Sequence, residues 1–181
     1  MRHLSLAGSC LAIAAIMSGA AVASAQELTE PGGACVGTWL LRVTPLGPPG
    51  ATGFPVNATF TSDGTFVTEG PPVSSGPPDA PENVTVSSTA QGVWEPTESG
   101  GCAVNHLFYN SDLEGNLVNT VEIRIVFTIG PDGNTMTSDG PDFATVTAPD
   151  GTVLFSGAGN TVEGTRLILQ LPPSSSPSPA P

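Results

Sequence analysis

Few side chains in this sequence could do chemistry, and they are widely spaced. His106 is the sole histidine besides His3, and it alternates in register with Val104 and Phe108. An imidazole can act as a general base or a metal ligand, but no partner stands at metal-ligand or triad spacing. Packing or hydrogen bonding within a strand therefore accounts for His106 more simply than catalysis does. Glu122 and Arg124 lie two residues apart on one face of an extended stretch. Because the alternate face is strongly apolar, the pair is expected to point outward into solvent. If the chain were an enzyme, His106 and Glu122 would be its candidate catalytic residues. Asp63, Asp132, Asp139 and Asp150 each precede a glycine, so turn geometry explains them. Only 139–142, Asp-Gly-Pro-Asp, carries calcium-type donors, and neither metal nor cofactor is expected. The sequence holds no Gly-x-Ser-x-Gly, His-Glu-x-x-His, phosphate-binding glycine loop or Cys-x-x-Cys, which removes support from the familiar hydrolase, redox and nucleotide classes.

The elements that must carry these residues follow from composition and period. In 181 residues there are 22 Gly and 19 Pro but only 11% charged residues, which disfavours long amphipathic helices. Four arginines and no lysine against 16 acids give a formal charge of −12, so a nucleic-acid partner is not expected. The 39% hydrophobic fraction is too high for a wholly disordered acidic chain.

Residues 1–25 read as a signal peptide: Arg2 and His3 begin it, an apolar run follows, and Ala23-Ser24-Ala25 supplies the small-x-small cleavage pattern. Its removal takes Arg2 and no acid, leaving a formal charge of −13, with no transmembrane segment expected in the remainder. The chain is thus expected to be secreted, extracellular or periplasmic. In that setting Cys35 and Cys102 are candidates for one disulfide, against two buried thiols. Residues 26–34 read as a lead-in, 35–171 as one domain, and 172–181, made only of Pro, Ser and Ala, as a disordered tail.

Within 35–171 the dominant signal is alternation of apolar and polar residues. It marks strands over 39–44, 56–61, 65–69, 90–95, 102–110, 117–129, 135–147 and 152–169. Breaks are expected at Asp139-Gly140-Pro141 and bends at Gly157 and Gly159. Residues 70–88, rich in Pro, Ser and Gly, form a long loop, either a lid or a variable insertion. Eight consecutive antiparallel strands point to an all-β, up-and-down barrel, which leaves no exposed edges; a sandwich is the alternative.

Gly37-Thr38-Trp39 on the first strand and Arg166 on the last resemble the Gly-x-Trp and closing arginine of lipocalins and other calycins. The wider run, with Phe60-Thr61-Ser62-Asp63-Gly64-Thr65, Gly92-Val93-Trp94 and 148–151, is similar to small secreted bacterial barrels of the lipocalin-like type. That resemblance implies a structural role for Gly37, Trp39 and Arg166, with the guanidinium packed across the indole at one barrel end. It also implies a small hydrophobic or amphipathic ligand, with Trp94, Phe108, Phe127 and Phe155 as candidate wall residues and the 70–88 loop near a mouth. Two alternatives are a small-molecule cyclase or isomerase of the allene oxide cyclase-like barrel type and a structural cell-envelope protein. The first needs shape more than catalytic groups, so motif reading would not find it.

Overall fold

A computed structural model describes residues 33–47, 51–74 and 84–170. The expected leader, the tail, most of the lead-in and the middle of the 70–88 loop lie outside the described residues. The extended segments are β1 (Gly37–Pro45), β2 (Phe54–Phe60), β3 (Thr65–Glu69), β4 (Val73–Ser74), β5 (Thr85–Ser87) and β6 (Ala90–Pro96). They continue with β7 (Cys102–Ser111), β8 (Leu117–Ile129), β9 (Thr135–Ser138), β10 (Phe143–Thr147), β11 (Val153–Ala158) and β12 (Asn160–Arg166). Every pairing is antiparallel, and the ring runs β1, β2, β3, β6, β7, β8, β9, β12 and back to β1. This is the closed eight-stranded up-and-down barrel that the alternation predicts.

β9 and β10 are one strand of that ring, both paired to β8 and interrupted by a bulge. Phe127 pairs with Ser138 and Arg124 with Phe143, so residues 139–142 oppose only 125 and 126. An excess of two residues, rather than one, leaves the alternation in phase. Met136 before the bulge and Asp142 and Ala144 after it are accordingly all buried. β11 and β12 likewise form one strand bent at Gly159, whose N–H donates to the Asp142 carbonyl at 3.1 Å. β10 and β11 continue past the end of β1 as a projecting hairpin, because β1 pairs with β12 and not with β11.

Alternation puts the core apolar residues inside and leaves Arg42, Gln91, Asn105, Arg124 and Glu163 exposed on the outside, along with Leu40, Val93, Leu107 and Val126. Among the described residues no helix is long and apolar enough to cross a membrane.

One end of the barrel is plugged. Trp39, Phe60, Phe66, Phe127 and Met136 are almost wholly buried there, and Phe60 meets Phe66, Trp94 and Phe127 edge to face at 4.8, 5.7 and 6.2 Å. Such geometries add to the area buried by each ring. The disulfide Cys35–Cys102, as expected, crosses this end. It joins the approach to β1 with the start of β7, the strand on the far side of an eight-membered ring. The Arg166 guanidinium lies 4.2 Å over the Trp39 ring and donates to the carbonyls of Gly133 at 2.8 Å, Val36 at 2.6 Å and Ala34. The indole N–H of Trp39 donates to the Cys35 carbonyl at 2.9 Å. Gly37 has φ 131°, and a Cβ there would sit 2.7 Å from Arg166 Nη1, so a side chain at 37 would evict the guanidinium. Gly37, Trp39 and Arg166 thus meet at one end of the barrel.

Candidate functional site

The opposite half of the barrel is hollow. A cavity of about 1190 Å3 begins above Phe66 and Phe127 and rises between the strands to the mouth. Its wall is the even rhythm of inward residues, Leu41, Val56, Phe108, Val121 and Ile123 among them. Past the ends of the strands it is bordered by the described flanks of the 70–88 loop. Those flanks form a small ribbon: β4 pairs with β5, Ser87 N–H donates to the Pro72 carbonyl at 2.8 Å, and β5 in turn pairs with the end of β7. The described flanks of the loop therefore lie at the mouth, tied to the barrel by main-chain hydrogen bonds.

Three polar side chains are buried among the described residues, Thr68, His106 and Asp142, and all three line this cavity. Thr68 is satisfied, donating to the Asn57 carbonyl at 2.9 Å. His106 stands between Gly92 on β6 and Ile123 on β8, its ring 5.1 Å from that of Phe66. A Cβ on Gly92 would lie 2.1 Å from the Asn105 carbonyl oxygen and 2.6 Å from His106 Cα, so only glycine lets β6 approach β7 at this point. The imidazole Nδ1 is buried with no hydrogen-bond partner. Burial away from water pushes the His106 pKa down from 6.5 to about 4, because the apolar wall disfavours the cation. At neutral pH it is a neutral ring with hydrogen-bonding capacity to spare.

Asp142 is held by the bulge. Its Oδ1 accepts from the Asn160 backbone N–H and its Oδ2 from the Asn160 side-chain amide, each at 2.8 Å. Gly159 gives it room, since a Cβ there would fall 2.6 Å from Oδ1. The rim adds Asn110, which donates to Asn119 Oδ1 at 2.9 Å and accepts from Ser87 Oγ at 2.7 Å.

The residues singled out from the sequence separate by height along the barrel. Phe108 and Phe127 line the cavity, Phe127 at its floor. Trp94 faces inward but lies in the plugged end, donating its indole N–H to the Thr61 carbonyl at 2.9 Å. Phe155 sits on the projecting hairpin, half exposed and paired with Val146. Glu122 is on the outer face, 3.8 Å from Arg124 Nε, whose guanidinium also lies 5.0 Å from the Phe143 ring. His106 and Glu122 are therefore not brought together.

Asp142 and Gly92 were missed as members of a site. A signal for Asp142 did exist: it is in phase with Ala144 beyond the break and with Met136 before it, an acid at an inward position. Asp63, Asp132 and Asp150 do what turn chemistry expects. Hydrogen bonds from Thr61, Asn134 and Thr152 respectively hold their carboxyls below the ordinary value. Among the described residues no three His, Cys, Asp or Glu side chains cluster closely enough for a metal ion. Comparison of the chain with protein-family models, with curated proteins and with solved structures gives no match.

Proposed function

We propose that this chain is a secreted lipocalin-like barrel that takes up one small hydrophobic or amphipathic molecule in its open half. The observation that carries the reading is the cavity itself. An eight-stranded barrel is just wide enough for side chains to fill it, and here they fill one end only. The void of about 1190 Å3 is slightly larger than the roughly 300–1,000 Å3 of ordinary small-molecule sites. Unfilled apolar walls forgo both dispersion contacts and release of water, and a bound apolar molecule restores them. The Cys35–Cys102 disulfide suits an oxidising compartment, and the closure by Gly37, Trp39 and Arg166 supports the lipocalin-like assignment.

Two measurements test the reading together. Native mass spectrometry of the protein purified without detergent should show an adduct of small-molecule mass, or one that forms on adding the neutral fluorophore N-phenyl-1-naphthylamine. Substituting Ile123→Trp, which fills the cavity from β8, should weaken fluorophore binding at least tenfold while the circular dichroism stays that of the barrel. Absence of saturable binding, or binding indifferent to Ile123→Trp, would refute it.

A further inference from the structure

We infer that the cavity selects by charge: it takes an apolar molecule with a protonated amine head, seated against Asp142, and rejects the corresponding fatty acid. This rests on the ligand-binding reading above and names the ligand class.

Among the described residues, the ionisable side chains lining the cavity are Glu69, His106 and Asp142, and no arginine lines it. The chain has no lysine at all. His106 does not substitute for a cation, because its buried ring stays neutral well below pH 7. An anionic head would thus enter a site that holds carboxylates and no countercharge. Glu69 stands at the mouth, where Oε1 accepts from Thr89 Oγ1 at 3.1 Å, so the approach carries the same sign. The excess of acids over the whole chain acts in that direction at longer range.

Asp142 supplies the positive half of the argument. Its side chain is 3% exposed, yet both its partners are neutral amide N–H groups of one residue, Asn160. The one ion pair among the described residues is the distant Glu122–Arg124 contact. A carboxylate offers about four acceptor positions, so roughly two remain free here. Burying a charge is costly unless it is paired, and an ammonium arriving from the cavity side would give that pairing along with strong charge-assisted hydrogen bonds. The alkyl body of such a molecule would lie along Val121, Ile123 and Phe108, and the unpartnered His106 Nδ1 adds a second polar contact point in the wall.

The test is a matched series of decylamine, decanol and decanoate, each displacing N-phenyl-1-naphthylamine at pH 7. The expected order is amine first, alcohol next and acid last, with at least a tenfold gap between amine and acid. Asp142→Asn should bring the amine to the level of the alcohol, its folding verified by unchanged circular dichroism and unchanged decanol displacement. On the unsubstituted chain, nuclear Overhauser contacts from the methylene beside nitrogen should reach the Ala144 methyl and the Asn160 side-chain amide. Decanoate equalling or exceeding decylamine overturns the inference while leaving ligand binding intact. So does a folded Asp142→Asn that keeps the amine preference, or head-group contacts confined to Val73 and Thr85 at the mouth. Failure of all three compounds and of the fluorophore to bind would remove the ligand-binding reading along with it.

Discussion

Lowering the pH from neutrality should destabilise this barrel through His106. In the unfolded chain His106 has the ordinary pKa of 6.5, whereas in the folded chain burial among Phe66, Gly92 and Ile123 lowers it to about 4. The charged groups that line the same cavity are Asp142 and Glu69. A depressed histidine pKa means that the unfolded state binds the proton first. Stability is therefore fully present above pH 6.5 and is lost as pH falls towards 4. With those two values, going from pH 7.5 to 5 costs about 2 kcal/mol, and reaching pH 4 would cost about 3 kcal/mol. The range down to pH 5 also stays clear of the isoelectric point near 4.1. The assay is urea unfolding at half-unit steps from pH 7.5 to 5 for the natural chain and for His106→Gln. Taking the difference between them cancels the general relief of negative self-repulsion that acidification brings to both. A companion measurement follows the imidazole C2–H resonance, which should not shift above pH 5. A histidine midpoint at or above pH 6, or two stability curves that stay parallel within about 0.5 kcal/mol, would refute the burial argument.

Four other perturbations probe the scaffold. Replacing both Cys35 and Cys102 by Ala opens a crosslink spanning 67 residues, and unfolding by urea should show a loss of about 4 kcal/mol. Gly92→Ala forces a Cβ into the Asn105 carbonyl and should cost about 2–3 kcal/mol by thermal unfolding. Gly157→Ala, where the nearest atom is Phe155 Cζ at 3.5 Å, should stay within about 0.5 kcal/mol. Arg166→Lys keeps the charge but loses the fork that reaches three carbonyls, and should cost about 2 kcal/mol and alter the near-ultraviolet circular dichroism of Trp39.

Much of the architecture was legible because its causes are local. Which face of a strand a residue occupies depends on a period of two, so alternation in 117–129 or 102–110 was enough to separate Ile123 and His106 from Glu122 and Arg124. Gly64, Gly133 and Gly151 have φ of 87°, 67° and 88°, values that glycine accepts freely, and each marks a turn readable from its Asp-Gly pair. The disulfide partner was a matter of counting, and the closure of Arg166 on Trp39 was implied by the resemblance of the Gly-x-Trp and closing arginine to those of calycins.

Height along the barrel was not legible in this way, and the candidate site depends on it. Trp94, Phe108 and Phe127 share the inward face, yet the stagger of eight paired strands puts the first in the plug and the other two on the cavity wall. Phe155 also obeys the alternation, but its strand has run past the end of β1, where there is no interior left to face. Asp142 becomes a buried carboxylate only because a two-residue excess against β8 keeps the phase across the break. The sequence alone therefore determined strands, faces, turns and the crosslink, each set by neighbours within a few residues or by counting. The tertiary structure decided which inward residues meet, which end is filled and where a buried acidic side chain lines the void, because those follow from register summed around a closed ring.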